Sequence, residues 1–229
     1  TTASDNTAVG AASLYANTEG TGNVAVGRQA LVANLTGSSN TAIGHIALCA
    51  NTTGTCNVAI GREALDSNTT GSVNIAIGTD ALQGNTSGSS NVAIGDDAMK
   101  TNSTASNNVG VGQSALCSNT TGTENTAVGK DALKLNVGAI QNTAVGTSAL
   151  RDNTTGACNT AVGFNSLVQS TTSSNNTAIG RASLFSNTTG HSNVAVGQGS
   201  LDANTEANQN TAIGTDALTT ATTAGSNTA

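Results

Sequence analysis

The chain has 229 residues, 1% aromatic and 9% charged, with no proline or tryptophan; ordinary soluble domains carry about 25% charged residues. A thick globular core filled by large side chains is therefore not expected. Seven Lys/Arg against thirteen Asp/Glu, a net −6, supply no basic stripe for a nucleic-acid partner, and no apolar run approaches the ~18 residues that span a bilayer.

Asn recurs every 17 residues from Asn6 to Asn227, so thirteen full repeats run over 6–226 without insertion or deletion. The unit reads N-[TV]-A-[VI]-G-x-x-[AS]-L-x-x-N-T-T-G-x-x, with registers numbered 1 to 17 from that Asn. Registers 1 and 5 are Asn and Gly in every copy. Register 4 is always Val or Ile, register 2 always Thr, Val or Ile, and register 9 is Leu except for Met99. All twenty charged residues fall at registers 6, 7, 10, 11, 14 and 17.

In chain order within each copy, registers 2–4 predict a short strand, because β-branched residues suit a pleated surface. Registers 2 and 4 share one face and register 3 takes the other. The Gly at register 5 marks a bend or a close approach. Register 9 predicts a second short extended piece whose Leu fills the interior beside register 4. Registers 12–15, Asn-Thr-Thr-Gly, predict a turn in which Asn bonds nearby backbone and Gly supplies positive φ. Seventeen residues rich in Thr, Asn and Gly are poor helix material. The expected fold is thus an all-β parallel β-solenoid, a single repetitive shaft over 1–229 without caps. At about 4.8 Å per coil, one repeat per coil would give thirteen coils spanning roughly 60 Å.

The expected core is Val9, Leu14, Val26, Leu31, Ile43, Leu48, Ile60, Leu65, Ile77, Leu82, Ile94, Met99, Val111 and Leu116. Register 3 is Ala in twelve copies and Gly110 in the other. That column is expected to press against a neighbouring chain on an axis; the alternative is the second side of the same coil's narrow interior.

Along the chain, few residues suggest chemistry. His45 and His191 stand far apart at registers 6 and 16, without recurring Asp or Cys partners, and read as surface substitutions. Cys49 and Cys117 share register 10, while Cys56 and Cys158 share register 17. The common offset of seven makes disulfides possible in an oxidising compartment, with unpaired thiols as the alternative; zinc is not expected without C-x-x-C spacing. Asp96-Asp97 is the only acidic pair, and it reads as solvated. Gly110-Val111-Gly112-Gln113-Ser114-Ala115 matches a dinucleotide fingerprint only because register 3 happens to be Gly there. Asn34, Asn51, Asn68, Asn85, Asn102, Asn119, Asn153, Asn175 and Asn187 lie in N-x-S/T sequons, read here as turn residues. No enzyme, cofactor or metal is expected.

The segments Asn57-Val58-Ala59-Ile60-Gly61 and Asn91-Val92-Ala93-Ile94-Gly95 resemble the head repeat of trimeric autotransporter adhesins. The longer phrase from Asn142 to Gly156 is similar to repeats in bacteriophage tail fibres. The resemblance covers essentially the whole chain, though the adhesin head repeat is shorter and no anchor, stalk, chaperone domain or receptor-binding tip is visible. It implies a parallel β-roll with three chains around an axis, outside the cell or on a virion surface. The expected function is a fibre shaft that spaces or displays an adhesive or receptor-binding end, with copies of itself as partners and a cell-surface or glycan receptor unidentified. One alternative is a filament built by end-to-end stacking, since the chain starts at register 13 and stops at register 3. Another is ice binding, disfavoured because the Thr at registers 13 and 14 would point to opposite faces and Glu19, Gly138 and Glu206 interrupt the column.

Overall fold

A computed structural model describes residues 2–222 and 225–229. The fold is an all-β parallel β-solenoid with one turn per 17 residues and no helix among the described residues. It comprises two compact units, Thr1–Ser114 and Ala115–Ala229.

The first unit holds β1 (Thr7–Val9), β2 (Val24–Val26), β3 (Thr41–Ile43), β4 (Val58–Ile60), β5 (Ile75–Ile77), β6 (Val92–Ile94) and β7 (Val109–Val111). Each pairs in parallel with the next, register on register: Thr7 faces Val24, Ala59 faces Ala76, Ile94 faces Val111. The second unit holds β8 (Thr126–Val128), β9 (Thr143–Val145), β10 (Thr160–Val162), β11 (Thr177–Ile179), β12 (Val194–Val196) and β13 (Thr211–Ile213). These pair in the same way. Side chains seventeen residues apart therefore form columns, as the repeat predicts.

The inner face of each strand carries the single residue of register 3. From Ala25 to Ala93 and from Ala127 to Ala212 these alanines are 0% exposed. Across the interior sit register 8 and the Leu of register 9, with Leu31, Leu48, Leu65, Leu82, Met99 and Leu116 fully buried. The interior is narrow. Ser166 at register 8 donates its hydroxyl to the carbonyl of Ala178, a register-3 residue, at 3.1 Å. Only a methyl fits on the strand side once a Leu enters from the other.

Two expectations are corrected here. The Val/Ile of register 4 are not core: Val9 is 57% exposed, Ile43 39% and Ile94 36%, and Val26, Ile60, Ile77 and Val111 are half-buried. Leu14 is also only half-buried. Conversely, the register-3 alanines line the coil's own interior and do not face outward. Adjacent side chains of a strand must point oppositely, and the space beside Leu and the asparagines admits the small residue.

The Leu segment is not extended either. Registers 7 and 9 have positive φ in every copy, for example Glu63 at 59° and Leu65 at 53°, with register 8 between them at negative φ. The two positive-φ residues turn their N–H groups to opposite neighbouring coils, while the register-8 N–H between them bonds within its own coil, Ala47 N–H to Gly44 C=O at 3.5 Å. Ile46 N–H bonds back to Arg28 C=O at 2.9 Å, while Leu48 N–H bonds forward to Ala64 C=O at 2.9 Å. The arc thus satisfies both neighbours without being a strand. A non-Gly residue in this region costs of order 1–3 kcal/mol; the cost is offset by burying the Leu side chain, about 1.5–3 kcal/mol.

Two buried Asn columns close the coil. In the first unit, Asn40 N–H donates to Asn23 Oδ1 (2.9 Å) and its Nδ2 donates to Gly54 C=O (2.8 Å). Asn51 Nδ2 donates to Asn34 Oδ1 (2.8 Å) and to the same Gly54 C=O (3.0 Å). The register-15 carbonyl thereby ties the start of its own coil's strand to the turn. Ala105, Ala139 and Ala207 make the same pair of carbonyl bonds, while most other copies carry Gly there. It does not have positive φ, contrary to expectation. A Cβ on Gly54 would instead meet Asn51 Oδ1 at 2.4 Å and Gly71 O at 2.3 Å. In the second unit the Asn column is broken where Ser170 replaces Asn, and there Ser173 replaces Gly and the two hydroxyls bond each other. Asn204 Oδ1 is buried with no partner among the described residues, because the next copy carries Ala221 in place of Asn.

Candidate functional site

Once Ala turns inward, registers 2 and 4 must turn outward, and together they make the most distinctive surface of each unit. In the first unit register 4 runs Val9, Val26, Ile43, Ile60, Ile77, Ile94, Val111, beside a register-2 column that is Thr at 7 and 41 and Val or Ile elsewhere. In the second unit register 4 is again Val or Ile, with Ile179 40% exposed. Its register-2 column is Thr at 126, 143, 160, 177 and 211 and Val only at 194. No charged residue stands at registers 1 to 5 of either unit.

Hydroxyls of the two Thr columns behave differently. Register-13 Thr are half-buried or at the surface and donate to the next coil's backbone, as Thr52 Oγ1 does to Thr69 C=O (3.0 Å) and Thr154 Oγ1 to Thr171 C=O (2.9 Å). The register-2 hydroxyls of Thr41, Thr143, Thr160 and Thr177 have no hydrogen-bond partner among the described residues. They point away from the coil, ready for a partner outside it. Register 14 is exposed at Thr36, Thr53, Thr70, Thr155, Thr172 and Thr189, so registers 13 and 14 do face apart.

Charged groups gather on other registers. In the first unit Lys100 Nζ bonds Asp97 (2.8 Å) and Asp80 (3.0 Å), and Asp80 also takes Arg62 (3.2 Å), which in turn contacts Glu63. These hydrogen bonds hold the Lys100 ammonium above the usual lysine range. Asp80 is buried but Arg62 and Lys100 keep their heads partly in water, and pairs so screened contribute little each. Asp96 is exposed. Burial, then the neighbouring Glu63 and Asp80 charges, push the Asp66 carboxyl up, partly countered by its bond from Ser67 Oγ (2.9 Å).

The remaining candidates are scattered. His45 and His191 are exposed, His45 lying 3.5 Å from Arg28 Nη1 and His191 beside Ser192. No group of three or more His, Cys, Asp or Glu converges, and no pocket opens, among the described residues. Cys56 and Cys158 are exposed thiols in separate units, and Cys49 is a half-buried thiol whose Sγ–H reaches Asp66 C=O at 3.5 Å. Cys49 and Cys56 are therefore not joined to each other. Burial and the Asp66 carboxylate push the Cys49 thiol up. Cys117 lies half-buried in the second unit. Gly110 sits inside β7, with no helix after it to receive a phosphate. Of the sequon asparagines, Asn34, Asn51, Asn68, Asn85, Asn102, Asn119, Asn153 and Asn187 are 0% exposed within the Asn column, out of reach of glycosylation; Asn175 at register 17 is exposed.

Compared with family models, curated proteins and solved structures, the chain shows no significant match to any. No helix is long and apolar enough to cross a membrane among the described residues.

Sequence reasoning had all the residues of the outward face but assigned it inward. The signal that could have reversed the assignment was the size of register 3: invariant small residues line tight interiors opposite large ones.

Proposed function

We propose that the chain is a structural segment of an extracellular or virion-surface fibre, in which parallel copies pack their register-2 and register-4 columns together around a common axis. Three copies are the number implied by the resemblance to adhesin heads and tail fibres. The assembled fibre spaces or displays an adhesive or receptor-binding end borne elsewhere, and its mechanism is mechanical. The observation that carries this reading is the outward, charge-free ladder of Val, Ile and Thr. At about 4.8 Å per coil, the ladder of the first unit's seven strands extends about 30 Å. Contiguous apolar surface of that kind marks an association site, and covering it gains roughly 25 cal/mol per Å² removed from water. Its ranks repeat at the coil spacing, so the surface that meshes with it rank for rank is another copy. Native mass spectrometry of the intact protein, with dilution, tests the reading. A trimer that persists at micromolar concentration is expected; a monomer overturns it.

A second reading is favoured by one observation in the second unit. Thr126, Thr143, Thr160 and Thr177 form a regular outward column of unbonded hydroxyls beside Val and Ile, as an ice-binding face would need. This array differs from the registers 13 and 14 considered from sequence. A monomer showing thermal hysteresis would establish it, and zero hysteresis would remove it.

A further inference from the structure

We infer that the order of Thr and Val along register 2 sets the axial register in which copies of this chain pack. The inference rests on the self-association proposed above and adds a specificity device to it.

A perfect repeat cannot fix register. If every coil presented the same residues, sliding one copy by a single coil would restore nearly every contact, and the assembly would be degenerate. Register 4 is such a column, Val or Ile throughout. Registers 1, 3 and 5 contribute no distinction either, since Asn and Ala are buried from Asn23 to Ala212 and Gly has no side chain. Register 2 is the one position of the outward face where chemistry changes, between a hydroxyl and a methyl of nearly equal shape.

The change is not periodic. From Thr7 to Val109 the first unit reads Thr, Val, Thr, Val, Ile, Val, Val. In parallel and in register, each level of the axis brings like to like, so Thr41 hydroxyls meet hydroxyls and bond one another. A one-coil slip sets Thr7 on Val24, Val24 on Thr41 and Thr41 on Val58. Three of six remaining levels then bury an unpaired hydroxyl against methyls, which is costly. Within the first unit packed on its own copy, an antiparallel arrangement sets Thr7 on Val109 and Thr41 on Ile75, so it fails at the same residues. The second unit reads Thr four times, then Val194, then Thr211. A one-coil slip there mismatches Thr177 with Val194 and Val194 with Thr211. A single polar position within an apolar seam fixes register in helical assemblies by the same penalty. The absence of intrachain partners for Thr41, Thr143, Thr160 and Thr177 among the described residues leaves those hydroxyls available for this role.

The experiment is a sorting assay on the full-length chain. Isotopically labelled wild type is refolded together with the unlabelled V58T/I75T/V92T variant, and the oligomers are weighed by native mass spectrometry. All three substitutions lie on the outward face, and the variant should form homo-oligomers as wild type does. Mixed oligomers are expected at least about fivefold below their statistical proportion, since each one buries unpaired hydroxyls at three levels. Statistical mixing would overturn the inference while leaving self-association intact. A wild type that stays monomeric would instead overturn self-association, and this inference with it. Should V58T/I75T/V92T fail to fold, the near-isosteric T7V/T41V variant replaces it, and random mixing of that chain with wild type is equally fatal.

Discussion

The two faces of each three-residue strand are equally restricted in composition but for opposite reasons. The inner face carries Ala because a Leu, two Asn side chains and a carbonyl already fill the coil, and it is dry. The outer face carries Val, Ile and Thr because a pleated surface suits them, and it stays half-exposed. Invariance alone therefore says that a side chain has neighbours, without saying on which side. The inner face serves the stability of one chain, whereas the outer face is available to serve contact between chains.

Substitutions separate these roles. The largest effect is expected at the strand's end, where Gly61 has φ 136° and an added Cβ would stand 2.4 Å from Gly78 O. Gly61→Val should cost about 4 kcal/mol or more, read as loss of the cooperative transition in chemical denaturation. Next comes the inner face: Ala76→Leu overpacks a fully buried site and should cost about 3 kcal/mol, with association lost only because folding is. The outer face should behave in reverse. Ile60→Lys should shift the native mass to monomer, and with both proteins diluted until they are monomeric its denaturation free energy should differ from wild type by less than about 1 kcal/mol, as surface substitutions do. If Ile60→Lys unfolded the chain while Ala76→Leu did not, the assignment of faces would be wrong.

The smallest effect concerns pH. Because the Asp66 carboxyl titrates above its ordinary value in the fold, the unfolded chain loses that proton first. Stability therefore falls as pH rises from the ordinary carboxylate range through the raised value. Asp66→Asn should remove this slope and stabilise at neutral pH by less than about 0.5 kcal/mol, given its solvent screening. Denaturation midpoints at pH 3 and pH 7 check this, and an unchanged slope would refute the cause given.

Much of the fold was legible. The seventeen-residue period predicted the columns, and Leu at register 9, replaced only by Met99, marked a buried column from Leu31 to Leu116. Charge confined to six registers marked solvent. The backbone of the arc was not legible, since Leu65 at φ 53° and Ile46 at φ 53° adopt a conformation their side chains disfavour. Only hydrogen bonding to coils on both sides makes that path favourable. The glycines of register 15 were read for the wrong reason: they lack positive φ and stand where an added Cβ would crowd Asn Oδ1, a crowding that the coil relieves at Ala105, Ala139 and Ala207. The association face was legible in composition and reversed in direction.

From the sequence alone came the period, the stacking of like on like, and the pairing of registers 2 and 4 against 3. These follow from strand alternation and from repetition, which act locally. Which of the two faces turns inward was decided only by tertiary structure. The arc brings Leu, and the turn brings the register-12 asparagine, against a strand that the register-1 asparagine already flanks, and the volume they leave admits a methyl group and nothing larger.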